Sequence, residues 1–306
     1  DAADPHSKLA QMHCTIEEGY HEQLDVVRYS RLLKRDAHEW IDNPDADCLA
    51  FYETKQRGII KLIVTVTMYA ETPDLVERSL RGVAHGINML CTETDFLRSW
   101  DEAVIVIVAD GLSKLPQETA NWFEMMGVYA PSLIEDARKI DTALEGEAPD
   151  VALHCFEGLM QFEDWCPLQT MLVVKQENAG KLDSQRWAFT GLAERLMPTM
   201  PEKFRKGATS DKDKKQTSIR NITVNEVRSM DRFLVTVDAG TQPKGNSLFE
   251  LIKPMRFDPS IAGTCGHMIP DKIIGNPLVM SQVFEYEYGH IMDKAMESIF
   301  GFITVL

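Results

Sequence analysis

Two short segments are strongly apolar and rich in β-branched residues: Ile59–Thr67 reads IIKLIVTVT and Ala103–Ala109 reads AVIVIVA. Such continuous runs are typical of strands buried on both faces, as in parallel sheets. Pro73 follows the first run and opens an apolar helical face, and a second helix is predicted near Pro116–Met126. Strands that alternate with helices predict an α/β fold with a mainly parallel, Rossmann-like sheet.

The rest of the chain continues this alternation. Further strands are predicted at Met171–Val174, Phe233–Val237 and Ile261–Thr264. Further helices are predicted near 184–197, 245–256 and 277–299. Exposed loops are predicted at Lys139–Asp150 and Pro201–Ser218. Residues 1–57 are polar and charge-dense, with Leu24, Val27, Leu32 and Leu33 at helical spacing. We therefore expect a small helical lead-in before a domain at 58–306.

Composition excludes several classes of function. The 306 residues carry a formal charge of −15, and an acidic chain gains nothing from counterion release on phosphate backbones, so no nucleic-acid partner is expected. Six cysteines without CxxC spacing indicate packed, reduced thiols rather than a zinc site. The chain starts without a signal-peptide pattern, and its apolar runs fall short of the roughly 18–20 residues of a membrane span, so the sequence as given is expected to be soluble.

Polar residues follow three of the predicted strands. Thr67, Tyr69 and Glu71 follow the first, Asp110 follows the second, and Asp238 with Gly240 follows the strand at Phe233–Val237. Asp-Gly after a strand is also ordinary turn chemistry, but ligands of open α/β sheets bind outside the carboxyl ends of the strands. The three strand ends together predict a ligand site at this edge.

The residue types at this edge suit a metal-bound diphosphate. Mg²⁺ takes one or two protein carboxylates together with phosphate oxygens, and Asp238 fits that role. Lys181 stands in a turn before a predicted helix, where a cation can neutralise phosphate. Neither a P-loop nor a Gly-x-Gly-x-x-Gly motif is present, which argues against an ATPase and an ordinary dinucleotide enzyme.

Several blocks resemble, in the same order, the catalytic domain of chitin synthases. They are Val66–Glu71, Ala109–Gly111, Met126–Tyr129, Lys175–Trp187, Val237–Thr241, Ile261–Gly266, Asn276–Tyr286 and Asp293–Gly301. The similarity runs from about Ile59 to Leu306. It implies an inverting GT-A type glycosyltransferase that moves N-acetylglucosamine from UDP-N-acetylglucosamine onto the 4-hydroxyl end of a growing β-1,4 chitin chain.

The resemblance also implies roles for individual residues. For the nucleoside, Thr67, Tyr69 and Glu71 would line the uridine pocket and Asp110 would contact the nucleoside. For the diphosphate, Lys181 and Arg186 would lie near it, and Asp238 beside Gly240 would hold Mg²⁺ or Mn²⁺. For the sugars, Gly263 and Cys265 would form a wall near the donor sugar, and Gln282, Glu285 and Tyr286 would lie on the acceptor side.

Two other functions remain open. A hyaluronan or cellulose synthase relative shares the chemistry, although Phe284–Tyr286 and Cys265-Gly266 favour chitin. A nucleotide-sugar-binding scaffold without catalysis is supported by departures from the family pattern at Ala70, Thr72, Leu112, Gln185 and His267.

In this family the general base and the membrane helices follow the last block. The resemblance therefore implies that the base lies beyond Leu306, and that the full-length protein sits in the plasma membrane with this domain facing the cytoplasm. The lead-in is expected to pack on the domain or to pair two chains in a homodimer.

Overall fold

The computed structural model describes residues 27–33, 37, 60–197, 232–270 and 276–301. Within these residues the strands form a six-stranded sheet in the order β1-β4-β5-β3-β2-β6. The strands are β1 (Arg28–Leu32), β2 (Leu62–Met68), β3 (Ala103–Ala109), β4 (Leu153–Met160), β5 (Leu168–Lys175) and β6 (Phe233–Asp238).

The centre of this sheet is parallel. β2 pairs in parallel with β3 and β6, and β3 pairs in parallel with β5. β4 is antiparallel to both β5 and β1. All seven residues of β3 and all eight of β5 are buried, which explains their continuous apolar sequence. The predicted α/β class with a mainly parallel sheet is confirmed.

The helices lie between or after these strands along the chain. They are α1 (Pro73–Thr92), α2 (Gln117–Met125), α3 (Pro131–Glu145), α4 (Lys181–Arg186), α5 (Ser247–Phe257) and α6 (Pro277–Glu287). α4 continues through a π-helical stretch at Trp187–Ala193 into a final turn at Glu194–Leu196, and α6 continues through Tyr288–Asp293 into Lys294–Ile299. These helices confirm the predictions near 116–126, 184–197, 245–256 and 277–299.

α1 begins at a proline because Pro73 has no N–H to leave unpaired in the first turn and its φ already suits a helix. Val76, Leu80, Val83 and Ile87 recur at helical spacing and are completely or almost completely buried. Burial of each such side chain contributes about 1.5–3 kcal/mol. This apolar stripe fixes α1, and hence the loop that precedes it at the carboxyl end of β2.

The helical stretch that begins with α4 covers part of the sheet. Its Trp187 and Leu192 are buried in one cluster with Val104, Val106 and Met171 of the central strands. This packing holds the amino end of α4, and the turn before it, beside the carboxyl ends of β3 and β5.

The structure corrects the prediction for part of the lead-in. Residues 28–32 form strand β1, not a helix, and pair with β4 in the register Tyr29↔Phe156 and Leu32↔Leu153. The pairing satisfies the backbone groups of β1 and buries Tyr29 and Leu32, which outweighs the helical spacing of the segment. Most of residues 1–57 lie outside the described residues, so the proposed boundary at 57/58 stays a prediction.

Three further local predictions were wrong or incomplete. β4 was missed. The predicted loop at 139–150 is the end of α3 as far as Glu145, where Gly146 in the left-handed conformation stops the helix. Residues 261–264 form no strand. The predicted loop at 201–218 lies outside the described residues.

The chain divides into two compact units, Asp1–Gly245 and Asn246–Leu306. The first contains the sheet, and the second contains α5 and α6. None of the helices in the described part of the chain combines the length and apolar character needed to cross a membrane.

Candidate functional site

The carboxyl ends of β2 and β6 bring two predicted site residues together. Thr67 and Asp238 are paired in the parallel register of these strands. The Thr67 hydroxyl donates to Asp238 Oδ1 at 3.0 Å, and the next backbone N–H, that of Ala239, donates to the Thr67 carbonyl at 3.1 Å. Strand pairing therefore holds the Asp238 carboxylate at the edge of the sheet.

Lys181 completes this cluster from the start of α4. Its Nζ lies 2.7 Å from Asp238 Oδ2, and the two side chains are 56% and 59% exposed. The chain reaches this position through Gly180, whose φ of 85° suits glycine and whose N–H donates to Asn178 Oδ1 at 2.9 Å. The predicted partners Thr67, Lys181 and Asp238 thus form one solvent-facing group of charges and a hydroxyl.

Asp110 occupies a different setting, beneath this surface. It is almost completely buried, and its Oδ1 accepts from Lys175 Nζ at 2.8 Å and from the Ala179 N–H at 3.1 Å. Lys175 also lies 2.6 Å from Asp183 Oδ2 and 3.4 Å from the Ser184 hydroxyl. One ammonium group therefore ties the end of β3 to the first turn of α4.

The sequence-based selection of site residues missed the role of Lys175. The signal was present, since a lysine ends the otherwise apolar strand β5, and a buried lysine requires charged or hydrogen-bonding partners. Asp110 and Asp183 are those partners, and they neutralise a cation that is only 4% exposed.

Tyr69 and Glu71 form the loop between β2 and α1. The Tyr69 N–H donates to Glu71 Oε2 at 2.6 Å, and the Thr119 hydroxyl of α2 donates to the Glu71 carbonyl at 2.8 Å. Tyr69 is 44% exposed. The loop therefore presents an aromatic face and a fixed carboxylate beside the carboxyl end of β2.

Gly240 is held by α1. Its N–H donates to the Ser79 hydroxyl at 2.8 Å, and its carbonyl accepts from Arg78 Nη2 at 2.9 Å. The φ of 94° lies in the region that favours glycine. This turn directs the chain away from the sheet immediately after Asp238.

The remaining predicted residues are not joined to this cluster by a described contact. Arg186 is exposed at the end of α4 and forms no ion pair with another described residue. Gly263, Cys265, Gln282, Glu285 and Tyr286 belong to the second unit. In that unit the Thr264 hydroxyl donates to the Leu251 carbonyl at 2.7 Å, and Gln282, Glu285 and Tyr286 are exposed on α6.

Asp238 fits the position predicted for a divalent cation. Its Oδ2 already receives a cationic group, the Lys181 ammonium, and the carboxylate faces solvent. The described residues contain no cluster of three or more histidine, cysteine, aspartate or glutamate side chains that could hold a metal alone. A metal here would need further oxygens, and phosphate supplies them.

Comparison with known proteins matches this chain to one family. Residues 62–226 and 223–306 match the family described as chitin synthase-like glycosyltransferase domain. The chain is 29% identical over 95% of its length to chitin synthase 3 of Verticillium dahliae, 30% identical over 80% to chitin synthase 2 of Candida albicans, and 28% identical over 80% to chitin synthase 1 of Saccharomyces cerevisiae. It spans 30%, 22% and 20% of the length of these relatives.

Proposed function

Since this chain belongs to the chitin synthase-like glycosyltransferase family, we propose that it binds UDP-N-acetylglucosamine as donor and supports transfer of N-acetylglucosamine to the 4-hydroxyl end of a chitin chain, with inversion. The observation that carries the proposal is the contact of Thr67 and Lys181 with Asp238 at the carboxyl edge of the sheet. An acidic chain does not attract a nucleotide diphosphate through its net charge, so local groups must supply the binding.

Lys181 and Asp238 are assigned to the diphosphate end of the donor. The Lys181 ammonium is 56% exposed and mounted on a flexible stem, so it can turn from Asp238 to a phosphate oxygen. Asp238 would then hold Mg²⁺ or Mn²⁺. When bound, that ion neutralises charge on the leaving UDP.

The uridine end is assigned to the β2–α1 loop. The Tyr69 ring offers a stacking face, and Glu71 accepts hydrogen bonds where its carboxylate is already fixed by the Tyr69 N–H. Asp110 uses Oδ1 for Lys175 and Ala179, so we assign Oδ2 to the nucleoside. Arg186 is assigned to the diphosphate side because it is exposed on the same helix as Lys181.

The acceptor side is assigned to the second unit. Gln282, Glu285 and Tyr286 would meet the growing chain, and Gly263 and Cys265 would border the donor sugar. An attacking hydroxyl needs a base within hydrogen-bond reach, and we assign that role to none of the described residues. We propose that the full-length protein works at the plasma membrane with this domain on the cytoplasmic side.

Thermal unfolding of the chain with UDP and Mn²⁺ tests the donor site. A ligand at 100 times its dissociation constant stabilises the folded state by about 2.7 kcal/mol, which corresponds to a rise in Tm of roughly 4 °C for a protein of this size. UMP with Mn²⁺ is the matched control because it lacks the second phosphate. Absence of any shift with UDP contradicts the proposal.

The full-length protein tests transfer itself. We expect it to incorporate N-acetylglucosamine from the UDP-sugar into a polymer that chitinase degrades. UDP binding without such a polymer would instead identify a nucleotide-sugar-binding scaffold.

A further inference from the structure

Two cysteines meet at the edge of the sheet opposite the candidate donor site. Cys91 lies in the last turn of α1, and Cys166 lies in the β4–β5 connection just before Leu168. α1 starts at the carboxyl edge of the sheet and runs back along it, so its end lies at the amino edge of the parallel strands. The two thiols are therefore remote from Asp238 and Lys181.

Specific contacts hold the β4–β5 connection against α1. The rings of Trp165 and His85 lie 5.2 Å apart, and the Cys166 N–H donates to Asn88 Oδ1 at 3.1 Å. His85, Asn88 and Cys91 are spaced three residues apart and share one face of the helix. The connection thus runs along this face and places Cys166 beside Cys91.

The two cysteines are neighbours, since the Cys166 backbone bonds Asn88, three residues before Cys91 on the same helix face. Both are free and half-buried, and each is the largest cause of the pKa shift of the other. Hydrogen bonding by Cys91 is the largest cause that lowers the pKa of Cys166, with burial opposing it and the Cys166 backbone N–H adding to it. The same hydrogen bond, with burial, raises the pKa of Cys91. Cys166 is therefore the thiol that ionises more readily.

We propose that Cys91 and Cys166 form a redox-sensitive dithiol site for small-molecule disulfides such as glutathione disulfide. The Cys166 thiolate attacks one sulfur of glutathione disulfide, breaks its S–S bond and releases one glutathione thiolate. Cys91 then loses its proton to solvent and attacks the Cys166 sulfur of the mixed disulfide, which releases the second glutathione. The protein gains one S–S bond and loses two electrons, and one glutathione disulfide becomes two glutathione thiols.

The resulting bond would clamp the β4–β5 connection to the end of α1. It closes a long loop of the chain, so it restricts the unfolded state and stabilises the fold. The site uses no residue of the candidate donor site, and the inference therefore stands independently of the proposed function.

Oxidation of the full chain with glutathione disulfide tests the site. Trypsin separates residues 82–98, which contain Cys91, from residues 140–175, which contain Cys155 and Cys166. After free thiols are blocked, mass spectrometry should find these two peptides linked, and dithiothreitol should release them. The oxidised chain should unfold at a Tm about 5 °C or more above that of the reduced chain.

Serine variants identify the two sulfurs that form the disulfide bond. Cys91→Ser and Cys166→Ser should each abolish both the link and the Tm rise, whereas Cys265→Ser, the control, should retain both. A linked peptide that persists in Cys166→Ser would assign the bond to Cys155 and overturn the proposal. The proposal would also be overturned if the two peptides of the wild-type chain stayed unlinked in the folded protein but became linked in urea. The folded structure would then keep the thiols from reacting.

Discussion

Lys181 Nζ lies 2.7 Å from Asp238 Oδ2, so the cation expected to bind phosphate is paired with the carboxylate expected to bind metal. Both side chains are more than half exposed, and ion pairs in such positions contribute at most about 1 kcal/mol. The contact is therefore weak enough to yield to a nucleotide diphosphate and its metal. A metal bound at Asp238 would also compete with Lys181 for one oxygen before the nucleotide arrives.

Replacement of Lys181 by methionine should separate the effect of this side chain on UDP binding from its effect on metal binding. We expect the affinity for UDP to fall by about 10-fold or more because a charge-assisted hydrogen bond to phosphate is lost. Affinity for Mn²⁺ without nucleotide should rise by roughly 10-fold or more, since a unit positive charge near 4 Å opposes a divalent ion by about 2 kcal/mol even in water. Electron paramagnetic resonance of free Mn²⁺ measures the second effect.

Lys139→Met is the matched control, because Lys139 is exposed and its ion-pair partner among the described residues is Asp136 on α3. It should change neither affinity. Equal Mn²⁺ affinities for Lys181→Met and the wild-type chain would show that Lys181 does not compete for Asp238.

Asp238→Asn should remove the metal-dependent part of UDP binding. The amide keeps the shape of the side chain and can still bond the Thr67 hydroxyl, but it has no negative charge for a divalent ion. We expect the Tm rise with UDP to become nearly the same with Mn²⁺ and with a metal chelator. Because the carboxylate is exposed, Tm without ligand should change little, and a large drop would point to a structural role instead.

Lys175→Met should destabilise the fold. The variant leaves the carboxylates of Asp110 and Asp183 without the ammonium that lies within 3 Å of both. Removal of one partner from a buried ion pair costs about 3–5 kcal/mol, measurable as a shift in urea denaturation. The double variant Lys175→Met with Asp110→Asn should recover part of the loss, and a loss below about 1 kcal/mol in the single variant would rule out this role.

His154 should make stability dependent on pH. Burial is the largest cause that lowers the pKa of His154, with smaller contributions from Arg138 and Arg31, opposed in part by a hydrogen bond to Gln176. An unfolded histidine titrates near 6.5, so below that pH the unfolded chain binds more protons than the folded one. The free energy of unfolding should therefore fall as the pH drops from 7.5 to 5.5, by at most about 1.4 kcal/mol per pH unit from this group.

The variant His154→Gln should flatten this dependence even though it lowers stability at neutral pH. An unaltered slope in His154→Gln would mean that His154 takes up a proton in the folded state.

Local sequence patterns were sufficient to predict the elements whose buried residues are apolar. β3 lies between two strands and is buried throughout, so its apolar run allows no other placement. α1 buries one stripe, and its period of 3.6 residues is visible in the sequence. Because the central strands are parallel, it also follows that Thr67, Asp110 and Asp238 share one edge of the sheet.

β1 and β4 were not predictable in the same way. β4 carries His154 and Glu157, whose burial contradicts the usual apolar pattern. β1 is too short to identify alone, and it becomes a strand because it pairs with β4, which lies far along the chain. Pairing between distant segments depends on the whole sheet, which no local window contains.

The sequence by itself determined the fold class, the edge of the sheet that carries the candidate site and the residue types found there. Only the tertiary structure decided which charges meet: Lys181 with Asp238 at the surface, and Lys175 with Asp110 and Asp183 beneath it. Such contacts depend on strand register and on where α4 begins. These follow from packing across the sheet, and a shift of a single residue would move each side chain to another partner.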